Sequence, residues 1–123
     1  MVYLKRWLPA ILLCLFIFAS SATPGAQVSA NQDVDFFAHK SIHVAIYSML
    51  FLALLRATKR SPIAAVLAIL YGASDEFHQT FVLSRTGSIR DFLIDSGAVF
   101  ITAVILWKYS HLLPNRLKSW LSE

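Results

Sequence analysis

Cysteine is almost missing from this chain. Cys14 stands alone, which excludes an internal disulfide and any cysteine-based metal cluster. Charge is scarce as well, at 15% of residues against about 25% in an ordinary soluble domain. Gly and Pro number four each, too few for collagen-like or linker-like character. What is present instead is apolar: 57% of 123 residues, with a mean hydropathy of +0.60. Disordered chains are poor in such residues, so disorder is excluded. A globule of 13.8 kDa leaves much of its chain exposed and cannot hide this much apolar surface from water. Lipid is therefore expected to be part of the solvent.

The apolar residues fall into separate segments and form no convincing internal repeat. They run from Trp7 to Ala22, from Ser41 to Leu55, from Pro62 to Leu83 with a polar interruption, and from Phe92 to Trp107. A membrane-spanning helix needs about 20 residues, and backbone groups in hydrocarbon must pair within their own segment. The expectation is an all-α integral membrane four-helix bundle forming a single domain over 1–123. Its helices are placed at about 7–24, 36–55, 62–82 and 89–112, with a short interfacial tail at 115–123. Ser61-Pro62 reads as a helix cap followed by proline in the first turn. Ser88-Ile89-Arg90-Asp91 has the spacing of a capping box. Pro114 ends the fourth helix, and Arg116 and Lys118 among Leu117, Trp120 and Leu121 make the tail amphipathic.

The net charge of +4 suggests nucleic acid until its distribution is considered. With four spans, Lys5, Arg6, Arg56, Lys59, Arg60, Lys108, Arg116 and Lys118 all fall on one side. Only Lys40, Arg85 and Arg90 fall on the other. Basic residues collect on the cytoplasmic side, so both termini are expected there and nucleic acid is not an expected partner. A rival reading exists for the first segment. Lys5-Arg6, the apolar run and the small residues ending in Val28-Ser29-Ala30 resemble a cleavable signal peptide. Retention is favoured, because three remaining helices would make a thin bundle.

Polar residues inside these segments carry the chemistry. His39, His43 and Tyr47 share one helix face at i, i+4, i+8. Asp75, His78 and Gln79 share another, with Tyr71 one turn away and Glu76 pointing elsewhere. Asp91 and Asp95 are again i, i+4. Arg85 and Arg90 flank the connection Ser84 to Ser88, where Gly87 permits a tight backbone. In the expected topology His43, His78 and Asp95 sit at one depth near the outer end. Ionisable groups in a bilayer are costly unless they face each other or water. An outward-facing polar pocket lined by helices two, three and four follows, with helix one supplying apolar packing. The bland alternative is an ion-pair network that only fixes helix register. His39 alone reads as interfacial, and Asp91 reads equally well as a helix cap.

The run Tyr71-Gly72-Ala73-Ser74-Asp75-Glu76-Phe77-His78-Gln79-Thr80-Phe81, then Arg85-Thr86-Gly87-Ser88-Ile89-Arg90-Asp91 and Asp95, resembles the signature of VanZ-like membrane proteins. Lys40-Ser41-Ile42-His43 with Tyr47 is similar to that family's second-helix motif. The likeness covers roughly residues 33–107. It departs at Leu83-Ser84, where the family usually has Pro-Gly, and at Val44 and Ile46, where it often has Phe and an acid. The resemblance implies a multi-pass protein of the bacterial cytoplasmic membrane facing the cell envelope, in a family associated with teicoplanin resistance.

Two readings of the pocket follow. As a binding site, Lys40, His43, Tyr47, Asp75, Glu76, His78, Gln79, Arg85, Asp91 and Asp95 would recognise an anionic envelope-lipid headgroup or a lipoglycopeptide. Arg85 and Lys40 would hold the phosphate or carboxylate. As an enzyme, Asp75, Glu76, His78 and Asp95 would supply acid–base or metal-assisted chemistry on an envelope lipid or peptide. No HExxH motif or serine elbow identifies a metal, cofactor or nucleophile. Membrane lipids, a lipid-linked envelope precursor and further copies of the chain are the expected partners. A transporter is disfavoured because no internal repeat of the kind such folds carry is evident.

Overall fold

A computed structural model describes residues 2–24, 29–83 and 85–123. Val28 of the signal-peptide-like motif and Ser84 of the expected turn lie outside the described residues. The described chain is helical: α1 (Val2–Ser21), α2 (Gln32–Thr58), α3 (Ser61–Gln79), α4 (Ile89–Tyr109), a short 3-10 turn (Ser110–Leu112) and α5 (Asn115–Ser122).

Local chemistry sets these limits. α2 begins at Gln32, ahead of the apolar run, because the Asn31 side chain accepts from the backbone N–H groups of Asp33 at 3.0 Å and Val34 at 3.3 Å. Asp33 and Asp35 in its first turn suit the positive end of the helix dipole. At its other end Lys59 adopts φ 58°, the left-handed geometry that stops a helix, and its N–H returns to the Leu55 carbonyl. α3 starts one residue earlier than expected. Arg60, not Ser61, occupies the cap position and makes no side-chain bond, while Pro62 lies in the first turn. Ser88 caps α4 as expected, accepting from the Asp91 N–H at 3.4 Å.

α2 is the hub of the packing and touches α1, α3, α4 and α5; α3 also packs on α1 and α4. The core runs along it, with Tyr47, Leu50, Phe51, Ala53 and Leu54 meeting Ala64 and Ala68 of α3, Val99 of α4 and Ala10 and Ile17 of α1. The alanines of α3 allow a close approach. Gly72 carries this furthest, since a Cβ there would stand 3.3 Å from the Tyr47 ring. Thr102 of α4 donates to Ser48 of α2 at 2.9 Å, a polar tie between two apolar helices.

The outward faces are strongly apolar. Leu4, Leu12, Leu15, Phe16 and Phe18 of α1, Val66, Leu70 and Phe77 of α3, and Leu93, Phe100, Ile101 and Ile105 of α4 are all exposed. Soluble monomers rarely expose contiguous apolar surface on this scale. α1 and α2 are each long and apolar enough to cross a membrane.

α5 is fastened to the end of the bundle where α2 turns into α3. Arg56 pairs with the Glu123 carboxylate at 3.2 Å and lies 4.8 Å from the centre of the Trp120 ring. Lys59 donates to the Leu121 carbonyl at 2.6 Å and Arg6 to that of Glu123 at 2.6 Å. The basic residues of this end thus hold the tail by backbone and side-chain acceptors together.

Candidate functional site

The polar residues of the long helices collect at the opposite end, beside the connections that follow α1 and α3. The helical stripe on α2 faces in two directions. His43 Nδ1 lies 3.3 Å from Asp95 Oδ2 on α4. One turn outward, Lys40 pairs with Asp91 at 2.5 Å. One turn inward, Tyr47 donates its hydroxyl to Asp75 Oδ2 of α3 at 3.3 Å. Lys40 and His43, i, i+3 on α2, are therefore zipped to Asp91 and Asp95, i, i+4 on α4, and the acids of α4 are answered by bases of α2.

Asp75 has a different environment. Its Oδ2 also accepts from Gln79 Nε2 at 3.0 Å, and Gln79 in turn lies 3.5 Å from the Ser21 hydroxyl of α1. Its Oδ1 is buried without a hydrogen-bond partner, and no cation pairs with it among the described residues. Only 4% of the residue is exposed. Asp95 Oδ1 and Glu76 Oε1 are likewise buried and unpartnered. Glu76 faces away from Asp75, as its position in the helix requires. Its Oε2 accepts the Ser88 N–H at 2.8 Å and pins the start of α4 to α3. Gly87 is needed there: a Cβ would lie 2.4 Å from the Glu76 carbonyl oxygen and 2.6 Å from the Thr80 methyl.

A cavity of about 160 Å³ opens beside this cluster. Its wall comprises Phe16, Ile17, Ser20 and Ser21 of α1, His39, Ile42, His43, Ile46 and Tyr47 of α2, Asp75 of α3, and Arg85. This differs from the expected pocket of helices two, three and four. The His43–Asp95 and Lys40–Asp91 pairs close the gap between α2 and α4, and this cavity lies on the α1 side, apart from a second one of about 270 Å³ between α3 and the start of α4 that Glu76 lines. α1 contributes two hydroxyls and is more than apolar packing. Its sequence signal was slight, since Ser20-Ser21 resembles the small residues at any helix end.

The remaining expected residues take separate places. Arg85 lines the cavity but is engaged with the end of α1, its Nε donating to the Thr23 carbonyl at 3.0 Å and one terminal nitrogen to Ser20 at 3.2 Å. His78 turns to α1 as well and stacks on Phe18 with ring centres 4.6 Å apart. Its Nδ1 has no hydrogen-bond partner. Tyr71 donates to the Cys14 carbonyl at 2.5 Å, another tie to α1. His39 accompanies Asp35 at 3.5 Å near the mouth. Among the described residues no group of three or more His, Cys, Asp or Glu side chains converges as a metal-ligand set.

A family model described as VanZ/LLP1 matches residues 6–113. The chain belongs to the VanZ/LLP1 family. No curated protein and no solved structure matches it. The match takes in α1 through α4, so the cavity of this VanZ/LLP1 chain, including its α1 wall, lies wholly within the family region.

Proposed function

We propose that this VanZ/LLP1 protein spans the bacterial cytoplasmic membrane with four helices and keeps both termini in the cytoplasm. Its cavity then opens toward the cell envelope and binds the headgroup of an acyl-tailed envelope molecule. That molecule is an anionic lipid or a lipoglycopeptide, in line with the family's association with teicoplanin resistance. The observation that carries this reading is the divided wall of the cavity. Ser20, Ser21, His39, His43, Tyr47, Asp75 and Arg85 are polar, and Phe16, Ile17, Ile42 and Ile46 beside them are apolar. A ligand with a charged head and a hydrocarbon tail matches both halves at once. Water occupies about 30 Å³ per molecule in the liquid, so a cavity of about 160 Å³ accepts a headgroup-sized fragment and excludes a folded peptide.

Among the described residues no hydrogen bond engages one terminal nitrogen of Arg85, and Arg85 is the residue assigned to the phosphate or carboxylate. Lys40 serves mainly to hold Asp91. The test is native mass spectrometry of the full chain released from bacterial membranes. Lipid is expected to be retained by the native chain and lost from Ile42→Trp, whose indole fills the cavity. Equal retention by both would overturn the reading. A lipoglycopeptide as ligand further requires that expression of the native chain, and not of Ile42→Trp, raises teicoplanin tolerance.

A further inference from the structure

Resting on the headgroup site of that reading, we infer that the bound headgroup is zwitterionic and not net anionic: it carries a primary ammonium beside its phosphate or carboxylate, and Asp75 receives it. The bases and acids near the cavity do not balance locally. Asp91 has Lys40 and Asp95 has His43, whereas among the described residues Asp75 has two neutral donors and no cation, the donors being the Tyr47 hydroxyl and the Gln79 amide. All of these donors converge on Oδ2 and leave Oδ1 without a partner. A buried carboxylate lacking a counter-charge is unfavourable in a medium of low dielectric constant. Asp75 nevertheless stands in the wall of an open cavity and not within a sealed core.

The other polar groups on that wall sort by depth. The Tyr47 hydroxyl bonds Asp75 directly, and the Ser21 hydroxyl lies one link away through Gln79. Arg85 and His39 lie toward the mouth, on the connection after α3 and the first turns of α2. An ammonium is a three-fold donor with no acceptor, so it suits a carboxylate whose second oxygen lacks a donor, with the hydroxyls of Tyr47 and Ser21 on the same wall. A phosphate on the same molecule then reaches Arg85 at the mouth, and acyl chains follow Ile42 and Phe16 into lipid. A quaternary ammonium has no N–H to donate and so cannot supply the hydrogen bond that Asp75 Oδ1 lacks. The headgroup class is therefore a zwitterion with a free amine, of the kind found in phosphatidylethanolamine.

The full native chain, exchanged into an equimolar mixture of phosphatidylethanolamine, phosphatidylglycerol and phosphatidylcholine, tests this by native mass spectrometry. Phosphatidylethanolamine is expected to be retained about tenfold over the other two, as the loss of one charge-assisted hydrogen bond implies. Asp75→Asn, nearly isosteric and still able to accept from Tyr47, is expected to abolish the preference. The wild-type comparison stands by itself if that variant folds poorly. Equal retention of phosphatidylglycerol overturns the ammonium while leaving headgroup binding intact. A preference that survives in Asp75→Asn overturns the role of Asp75. No retention above the Ile42→Trp level overturns headgroup binding itself. Excess O-phosphoethanolamine is expected to compete poorly because it lacks the tails. Competition as strong as that of the intact lipid would overturn a lipid source and assign the ammonium to a soluble ligand.

Discussion

The Tyr47 hydroxyl reaches across from α2 to Asp75 on α3 at 3.3 Å, while Gly72 lets the two helices approach beneath the same ring. One aromatic side chain thus joins the apolar core to the polar cavity. Both partners are nearly inaccessible, with Tyr47 only 1% exposed. Tyr47→Phe removes a donor from a carboxylate that has one other, and is expected to cost about 1–3 kcal/mol. Thermal unfolding in detergent, run as a double-mutant cycle with Asp75→Ala, which removes the acceptor, measures it. Additive effects would show that the bond contributes nothing.

The two glycines Gly87 and Gly97 should respond in opposite ways. A methyl group at Gly87 meets the Glu76 backbone, which cannot rotate aside, and Gly87→Ala is expected to destabilise by about 1–3 kcal/mol. At Gly97 nothing lies within 4 Å, and alanine is the better helix former by about 1 kcal/mol. Gly97→Ala is therefore expected to be neutral or stabilising. Thermal midpoints of the two variants, compared in one detergent, decide the matter. A stable Gly87→Ala would contradict the close approach.

Lys40 and Asp91 make a partly exposed pair on the rim, with side chains 17% and 25% exposed. Their coupling in a double-mutant cycle is expected to be about 0.5–1 kcal/mol and to fall as salt is added. The His43–Asp95 contact below it is closed to solvent on the acid side and is expected to resist salt. Identical salt dependence for the two would place both in water.

The proposed topology is open to direct measurement. In a Cys14→Ser background, a cysteine at Thr23 is expected to react with an impermeant thiol reagent from outside intact cells. A cysteine at Ser61 should react only after permeabilisation. The reverse pattern would turn the cavity toward the cytosol and remove the envelope ligand from consideration.

Much of this arrangement could be read along the chain, and the part that could not has a physical reason. The spacing of His39, His43 and Tyr47, and of Asp91 with Asp95, placed each set on a single helix face, because helical periodicity is a local property. The meeting of His43 with Asp95 fits two such stripes at one depth, whereas Lys40, which lies off the stripe and was expected to hold a ligand's anion, is taken by Asp91. What periodicity does not contain is the partner of each face. Arg85 looks like a free cation in sequence, and its acceptors are main-chain carbonyls of a distant helix end, which no side-chain pattern announces. His78 shares a turn with Asp75 yet stacks on Phe18, a choice made by packing. The tail helix was visible as amphipathic, but its attachment through Arg56, Lys59 and Arg6 was not.

The grip of Arg85 on Thr23 and Ser20 also bears on how a ligand would get in. Swinging α1 outward like a door would tear the guanidinium from both carbonyls, so that route is barred while the clasp holds. In the proposed topology admission would instead be sideways, through the seam where the exposed Phe16 and Ile42 would face hydrocarbon. A molecule already dissolved in the leaflet would then arrive by lateral diffusion and need never cross open water.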